Sequence, residues 1–188
     1  MPQTQRASTV PAQRFAAGGI EVLAAEISAA WFEAPRDMAE RVKAALRRAA
    51  ADPDLLTAEQ RQASAERYAR HVIYSDPSGR FTILAIVWGP GQFSPPHAHH
   101  TWCAYAVQSG PLEETLFAWN AAEDKAVPLS TEVRNAGYGC YAGPGLDQIH
   151  RLGNSGDRPA ISIHVYGVEQ ERISTHVNRM VETSEAAE

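Results

Sequence analysis

The stretch from Tyr68 to Tyr166 most constrains the fold, because β-branched and aromatic residues alternate with others along it and turn signals recur. A period of two is typical of strands, and Gly-Pro or Asp-Pro pairs separate one strand from the next. About eight antiparallel strands without intervening helices favour a double-sheet jelly roll or a small barrel. The strands are predicted near residues 68–74, 80–88, 102–109, 113–119, 126–133, 137–142, 148–153 and 160–166.

The residues before this stretch have helical spacing instead. Apolar side chains recur at helical intervals from Ile20, and the pattern breaks near Pro35. A second helix is predicted to begin at Pro35, since proline suits the first helical position, and to end near Asp52. Thr57 and Gln60 resemble a capping box that opens a third, short helix.

A chain of 188 residues is long enough for about one domain with a single core. Residues 1–12 are polar and contain proline, so a flexible leader is predicted there. Residues 13–188 are predicted to form one domain, whose parts are a helical part at 13–66, a β-barrel at 67–167 and a C-terminal segment at 168–188.

The charge balance argues against two classes of partner. The chain has 17 Lys and Arg against 22 Asp and Glu, a net charge of −5, so it lacks the basic excess that nucleic acids or anionic membranes attract. The amino terminus lacks the apolar segment of a secretory signal, which predicts a cytoplasmic protein. In that reducing compartment Cys103 and Cys140 are expected to be free thiols.

Three histidines stand close together at positions 97, 99 and 100. In an extended segment His97 and His99 project to one face and His100 to the other, so the first two form a chelating pair that needs a third ligand. An isolated pair of this kind is more often a solvated loop feature. The flanking glycines make the pattern more specific, since Gly91 precedes His97 by six residues and Gly110 closes the following strand.

This spacing is similar to the first motif of the cupins, except that Cys103 stands where a glutamate ligand is usual. His150 followed by Asn154 resembles the end of the second cupin motif and implies that His150 is the third ligand. Three neutral imidazoles leave coordination positions open, as in non-haem Fe(II) oxygenases, whereas a structural zinc site needs four protein ligands. Catalytic zinc with three histidines and water is the alternative.

The last predicted strand places Ser162, His164 and Tyr166 on one face. If that face is buried, these groups must be hydrogen-bonded to one another. The pattern alone slightly favours a solvent-exposed face. A hydrolase with a Ser/His nucleophile is disfavoured, because two residues apart on one strand is a poor geometry for attack and no third member is evident.

Together these residues resemble the thiol dioxygenases of the cupin superfamily, and most closely the cysteine dioxygenase type I enzymes. The resemblance is carried by Tyr68-Ala69-Arg70, Trp88-Gly89-Pro90-Gly91, His97-Ala98-His99, His150-Arg151-Leu152-x-Asn154 and Ser162-x-His164-x-Tyr166. It implies a cupin jelly-roll barrel with N-terminal helices packed on one side. It also implies an enzyme that uses Fe(2+) and O2 to oxidise a small thiol, L-cysteine, to cysteine sulfinic acid.

The resemblance also implies a role for each site residue. His97, His99 and His150 would bind the iron, and Ser162, His164 and Tyr166 would form a catalytic relay. Arg70 would meet the substrate carboxylate, with Tyr68 beside it. A surface charge on a strand edge is the alternative for Arg70.

Two departures from the family pattern concern the site. Ala98 replaces an aspartate, and Cys103 lies one residue nearer the histidine pair than the cysteine that animal enzymes link to tyrosine. Cys103 is expected to face the metal, either joined to Tyr166 by a thioether or as a free buried thiol. The resemblance also leaves open a dioxygenase for another mercaptocarboxylic acid, 3-mercaptopropionate or mercaptosuccinate. A non-catalytic metal-binding cupin is the third hypothesis.

Overall fold

The computed structural model describes residues 18–184, so the predicted leader at 1–12 lies outside the described residues. Two α-helices come first, α1 (Gly19–Ala30) and α2 (Pro35–Ala50). The strands are β1 (Ala69–Ser75), β2 (Thr82–Trp88), β3 (His97–His99), β4 (Cys103–Ser109), β5 (Leu112–Asn120), β6 (Lys125–Arg134), β7 (Gly139–Ala142), β8 (Gly145–Gly153), β9 (Ala160–Tyr166) and β10 (Asn178–Met180).

The strands form two five-stranded antiparallel sheets, with the orders β1-β2-β9-β4-β7 and β10-β3-β8-β5-β6. The sheets face each other, since His97 of β3 and Tyr166 of β9 line the same cavity. The predicted mainly β jelly roll with N-terminal helices is therefore confirmed. The structure adds β3 and β10 to the predicted strands; each has three residues, too few for an alternating pattern to indicate a strand.

The central strands of the first sheet, β2, β9 and most of β4, are buried on both faces. Along β9, Ile161, Ile163 and Val165 pack in the cluster that includes the two helices, whereas the residues between them face the other sheet. β2 and β4 alternate in the same way. Because helices cover the outer face, every residue of β2 and β9 is buried and both strands have apolar residues on their outer faces.

The helices agree with the sequence prediction in most respects. Pro35 occupies the start of α2, and α1 ends before it. The third helix is only a single 3₁₀ turn, Glu59–Arg61, although the capping contacts between Thr57 and Gln60 form at 3.0 and 3.3 Å. The residues after this turn lack an apolar stripe that could hold a longer helix against the sheet. No helix in residues 18–184 is both long and apolar enough to cross a membrane.

A partly buried ion pair joins the turn before β2 to α1. Arg80 donates to both carboxylate oxygens of Asp76, at 2.7 and 2.8 Å, and to Ser28 Oγ at 3.0 Å. The side chain of Asp76 is 2% exposed. Its hydrogen bond from Arg80 holds the pKa of Asp76 below its ordinary value of 3.8. The pair therefore helps to fix the helical layer on the first sheet.

Replacing Asp76 by Asn should lower the free energy of unfolding by about 1–3 kcal/mol, because the partly buried guanidinium of Arg80 loses its charged acceptor. This difference in the free energy of unfolding should have its full size well above pH 3.8. It should shrink as the pH falls through the lower folded-state pKa of Asp76. At that pH the wild-type carboxyl is protonated and, like the amide of the variant, carries no charge. Urea denaturation at several pH values measures this difference. Asp157→Asn, at an exposed site, is the control, and equal losses in both variants would contradict the prediction.

Candidate functional site

Three histidines converge between the two sheets. His97 lies directly opposite His150 where β3 pairs with β8, and an irregularity in that pairing follows before His99. Ligand atoms of the three side chains all lie within 4.8 Å of one another, and all three residues are buried. His100 is exposed, as the strand alternation predicts. The structure thus brings together the three histidines that the sequence predicts as metal ligands.

The surroundings of the three rings fit a bound divalent metal. Nδ1 of His97 donates to the Pro95 carbonyl at 2.8 Å, and Nδ1 of His150 donates to Glu114 Oε1 at 2.7 Å. In the rings of His97 and His150, Nε2 is therefore the nitrogen with a lone pair available to a metal. Within residues 18–184, Nδ1 of His99 is buried without a hydrogen-bond partner. Three imidazoles are a donor set that iron and zinc both accept.

Burial keeps two of these rings neutral, which is the form that binds a metal. It lowers the pKa of His97 to about 3, and the neighbouring His150 lowers it further. The pKa of His99 falls to about 2 for the same two reasons. Both rings are therefore neutral at physiological pH.

A hydrogen-bonded relay lies on β9, facing the histidines. Ser162 Oγ is 2.8 Å from His164 Nε2, and His164 Nδ1 is 3.2 Å from the hydroxyl of Tyr166. The indole of Trp88 donates to Ser162 Oγ at 2.9 Å. All four residues are buried, so the exposed face that the pattern alone slightly favours is wrong. The second sheet covers this face, which a single strand's pattern does not indicate.

The relay groups are uncharged. Burial lowers the pKa of His164 to about 3, with a further contribution from His150. Burial, and then the neighbouring Cys103, raises the pKa of Tyr166 above its ordinary value. Tyr166 therefore presents a neutral phenol, which can donate a hydrogen bond into the cavity.

Cys103 faces inward, as expected. It lies directly opposite Tyr166 in the pairing of β4 with β9, and its Sγ is 3.3 Å from His99 Nε2. Burial raises the pKa of this thiol well above its usual value. Cys103 and Cys140 are both free cysteines in the structure. A thioether between Cys103 and Tyr166 stays a prediction.

Arg70 and Tyr68 line the same cavity as the histidines and Tyr166. Arg70 is exposed, so it lies where the cavity meets solvent, and it has no ion-pair partner within residues 18–184. The ring of Tyr68 packs on Trp88, with centroids 4.6 Å apart. A cation at the rim of a cavity with neutral walls is suited to an anionic ligand.

Sequence reasoning assigned no role to two residues of this site. Trp88 belongs to one of the motifs that carry the family resemblance, but its hydrogen bond to Ser162 depends on the pairing of β2 with β9. Glu114 is 3% exposed and contacts His150 from β5. Burial acts to raise the pKa of Glu114, but its hydrogen bonds with His150 and Arg134 hold that pKa below the usual value. The available signal was alternation, which places Glu114 on the same buried face as Leu112.

Comparison with known proteins identifies related sequences. The chain is 32% identical over 103 residues to human cysteine dioxygenase type 1, covering 53% of this chain and 50% of the human protein. The Bos taurus protein of the same name is 30% identical over 103 residues, with the same coverage. The chain thus spans about half the length of the curated relatives it matches.

Solved structures with lower similarity were also found. A Klebsiella pneumoniae protein with a double-stranded β-helix domain is 23% identical, with a TM-score of 0.44 over 60% of this chain and 86% of its own. A Thermus thermophilus protein is 16% identical, with a TM-score of 0.47 over 58% of this chain and 91% of its own.

The sequence profile of cysteine dioxygenase type I matches residues 33–179. The matched region includes α2 and all ten strands except the last residue of β10, and it contains every residue of the site described above. The chain therefore belongs to the cysteine dioxygenase type I family.

Proposed function

We propose that this protein is an iron-dependent thiol dioxygenase that converts L-cysteine to cysteine sulfinic acid in the cytoplasm. The observation that carries the proposal is a single cavity that combines three buried imidazoles, a neutral tyrosine at the end of a relay, and an arginine at the rim. Each of these features matches one requirement of the reaction, namely a metal, a hydrogen-bond donor and a site for the substrate carboxylate.

His97, His99 and His150 would hold the ferrous ion, with Nε2 as the donor atom of His97 and His150. A bound ferrous ion would make a coordinated thiol more acidic and would bring O2 next to the sulfur. A three-residue ligand set leaves positions open for both reactants. Zinc would fit the same donors, but zinc has no redox chemistry to support oxidation by O2.

Arg70 would bind the substrate carboxylate. A guanidinium presents two parallel N–H groups, so it can orient a carboxylate as well as attract it. Because Arg70 lies at the rim and the histidines lie deeper, a bound cysteine would extend its thiol toward the three imidazoles. Tyr68 packs on Trp88 beside Arg70 and would form one wall of the substrate site.

One arrangement of protons satisfies every hydrogen bond of the relay. The indole of Trp88 can only donate, so Ser162 Oγ accepts that bond and can direct its own hydrogen to His164 Nε2. The neutral ring of His164 then has its proton on Nδ1 and donates to the Tyr166 oxygen. The phenol hydrogen of Tyr166 is thereby left to stabilise negative charge on the oxygen atoms being transferred.

The overall reaction balances without another reductant. A thiol and O2 give a sulfinic acid, so the sulfur gains both oxygen atoms and supplies the electrons that reduce them. The proton that leaves the thiol on binding returns to solvent when the product is released as the sulfinate at neutral pH. Exclusion of water from the buried wall around Tyr166 and His164 keeps these hydrogen bonds strong.

A second candidate is a dioxygenase for another mercaptocarboxylic acid, 3-mercaptopropionate or mercaptosuccinate. Arg70 supports these substrates as much as it supports cysteine, because each of these thiols has a carboxylate. Cysteine differs from 3-mercaptopropionate by its amine. A test of the function must therefore compare thiols with and without that group.

The iron-loaded protein should consume one O2 per thiol and release the sulfinic acid, with L-cysteine giving the highest kcat/KM. Oxygen-electrode assays with L-cysteine, 3-mercaptopropionate, mercaptosuccinate and cysteamine, followed by mass spectrometry of the products, measure this. Higher kcat/KM with 3-mercaptopropionate or mercaptosuccinate would select the second candidate. No oxygen uptake with any thiol by fully iron-loaded protein would favour a non-catalytic cupin.

The variant His150→Ala should retain less than about a tenth of the wild-type iron, because an open site with two imidazoles has too few donors for a ferrous ion. Metal analysis after reconstitution measures the iron content. The matched control is His100→Ala, which removes an exposed imidazole next to His99 and should retain full iron occupancy. Full occupancy in His150→Ala would contradict the three-ligand assignment.

Replacing Arg70 by Gln should raise the KM for L-cysteine by about 10- to 100-fold, because a charge-assisted hydrogen bond is lost. Cysteamine has no carboxylate, so its KM should change little. The control is Arg67→Gln, which removes an exposed arginine near the same strand and should leave both values unchanged. Equal losses for cysteine and cysteamine would mean that Arg70 has a structural role.

A further inference from the structure

A buried carboxylate links one of the three histidines to an arginine. Glu114 Oε1 accepts from His150 Nδ1 at 2.7 Å, and Glu114 Oε2 accepts from Arg134 Nε at 2.8 Å. The side chains are 4% exposed for Glu114, 11% for His150 and 13% for Arg134. Each carboxylate oxygen therefore has its own partner in a site with little access to solvent.

The strand pairing holds this arrangement in place. β5 lies between β6 and β8, so Glu114 is flanked on one side by the strand of Arg134 and on the other by the strand of His150. Arg134 also donates to Glu132 at 3.0 Å, and its guanidinium lies 4.4 Å from the centre of the Tyr138 ring. Arg134 is thus fixed by contacts of its own and can hold the carboxylate in one orientation.

The three histidines differ in what their Nδ1 atoms contact. His97 donates to a neutral carbonyl, that of Pro95. Nδ1 of His99 is buried without a partner within the described residues. In this set it is His150 that donates to a carboxylate. An anionic acceptor holds the ring with its lone pair on Nε2 and makes that nitrogen a stronger donor.

We propose that Glu114 is a positioning residue that orients His150 and strengthens it as a metal ligand, and that Arg134 keeps the carboxylate aimed at the ring. The inference rests on the proposed metal site. The affinity for the metal would then depend on a residue of β5, although β5 supplies none of the three ligands.

A second cavity makes the carboxylate accessible to experiment. It encloses about 270 Å³, and Glu114, Arg134, Leu129 and Cys140 are among the residues that line it. It shares His99, Cys103 and His150 with the cavity of Arg70, but neither Arg70 nor Tyr166 lines it. Removing the Glu114 side chain should therefore leave a space that a small carboxylate can enter from this cavity.

The first test compares metal affinities. Glu114→Gln keeps the shape of the side chain but removes its charge, and should weaken binding of Co(2+), used as a spectroscopic probe, by about 10- to 100-fold. It should also change the visible absorption spectrum of the bound ion. The matched control is Glu113→Gln, one residue away and off the buried face, which should bind Co(2+) like the wild type.

The second test is chemical rescue. Glu114→Ala should bind Co(2+) weakly. Added acetate should increase this affinity at least about tenfold, since acetate can bind between Arg134 and His150. Acetamide, which is similar in shape but neutral, should not. Acetate should leave the wild type unchanged. Rescue by acetamide as well as by acetate would mean that Glu114 only fills space, and would overturn the proposal.

A third measurement needs no variant, so it holds even if these variants fail to fold. Histidine ¹⁵N NMR of the metal-free wild type should show a proton on Nδ1 of His150, and a ring with its proton on Nε2 alone would overturn the proposal. If wild-type protein binds neither Co(2+) nor Fe(2+), the proposed function fails. If it binds them and Glu114→Gln binds Co(2+) equally well with the same spectrum, only the role of Glu114 fails.

Discussion

Burial of the central strands of the first sheet on both faces is the constraint on which the site depends. On β9, Ile163 is enclosed by the helical layer and His164, the next residue, by the second sheet. Without the helices, water would reach the backbone that supports the relay. With them, the hydrogen bonds between Ser162, His164 and Tyr166 form in a dry environment, where each bond is stronger and an unpaired polar group would be costly.

The same burial decides the electrostatics of the centre. His97, His99 and His164 are held neutral by desolvation, so the cavity wall has little charge of its own. The charge of Glu114 is balanced by Arg134 within the second sheet. Arg70 is thus a cation at the rim without an ion-pair partner among the described residues. A small anion entering the cavity therefore meets the positive potential of its guanidinium.

The sequence was sufficient where the determining pattern is local. Alternation predicted which residues of β9 share a face, and the spacing of His97 and His99 predicted a pair. Alternation indicated the buried face of Glu114, but its contacts were out of reach, because its partners lie 36 and 20 positions away, and an acidic residue in a strand is more often at the surface. The burial of Ser162 was also out of reach, since it depends on a second sheet and not on the strand itself.

One of the two three-residue strands, β3, carries two of the three histidines, and this has a consequence for the order of folding. β3 spans only residues 97–99 and is held by β8 and β10, whose pairing residues lie at positions 145 and 150 and at 178–180. The helices form from contacts between near neighbours, whereas β3 must wait for partners that are distant along the chain. The alignment of the imidazoles should therefore be among the last features to form, and a metal ion would meet a barrel that is otherwise already assembled.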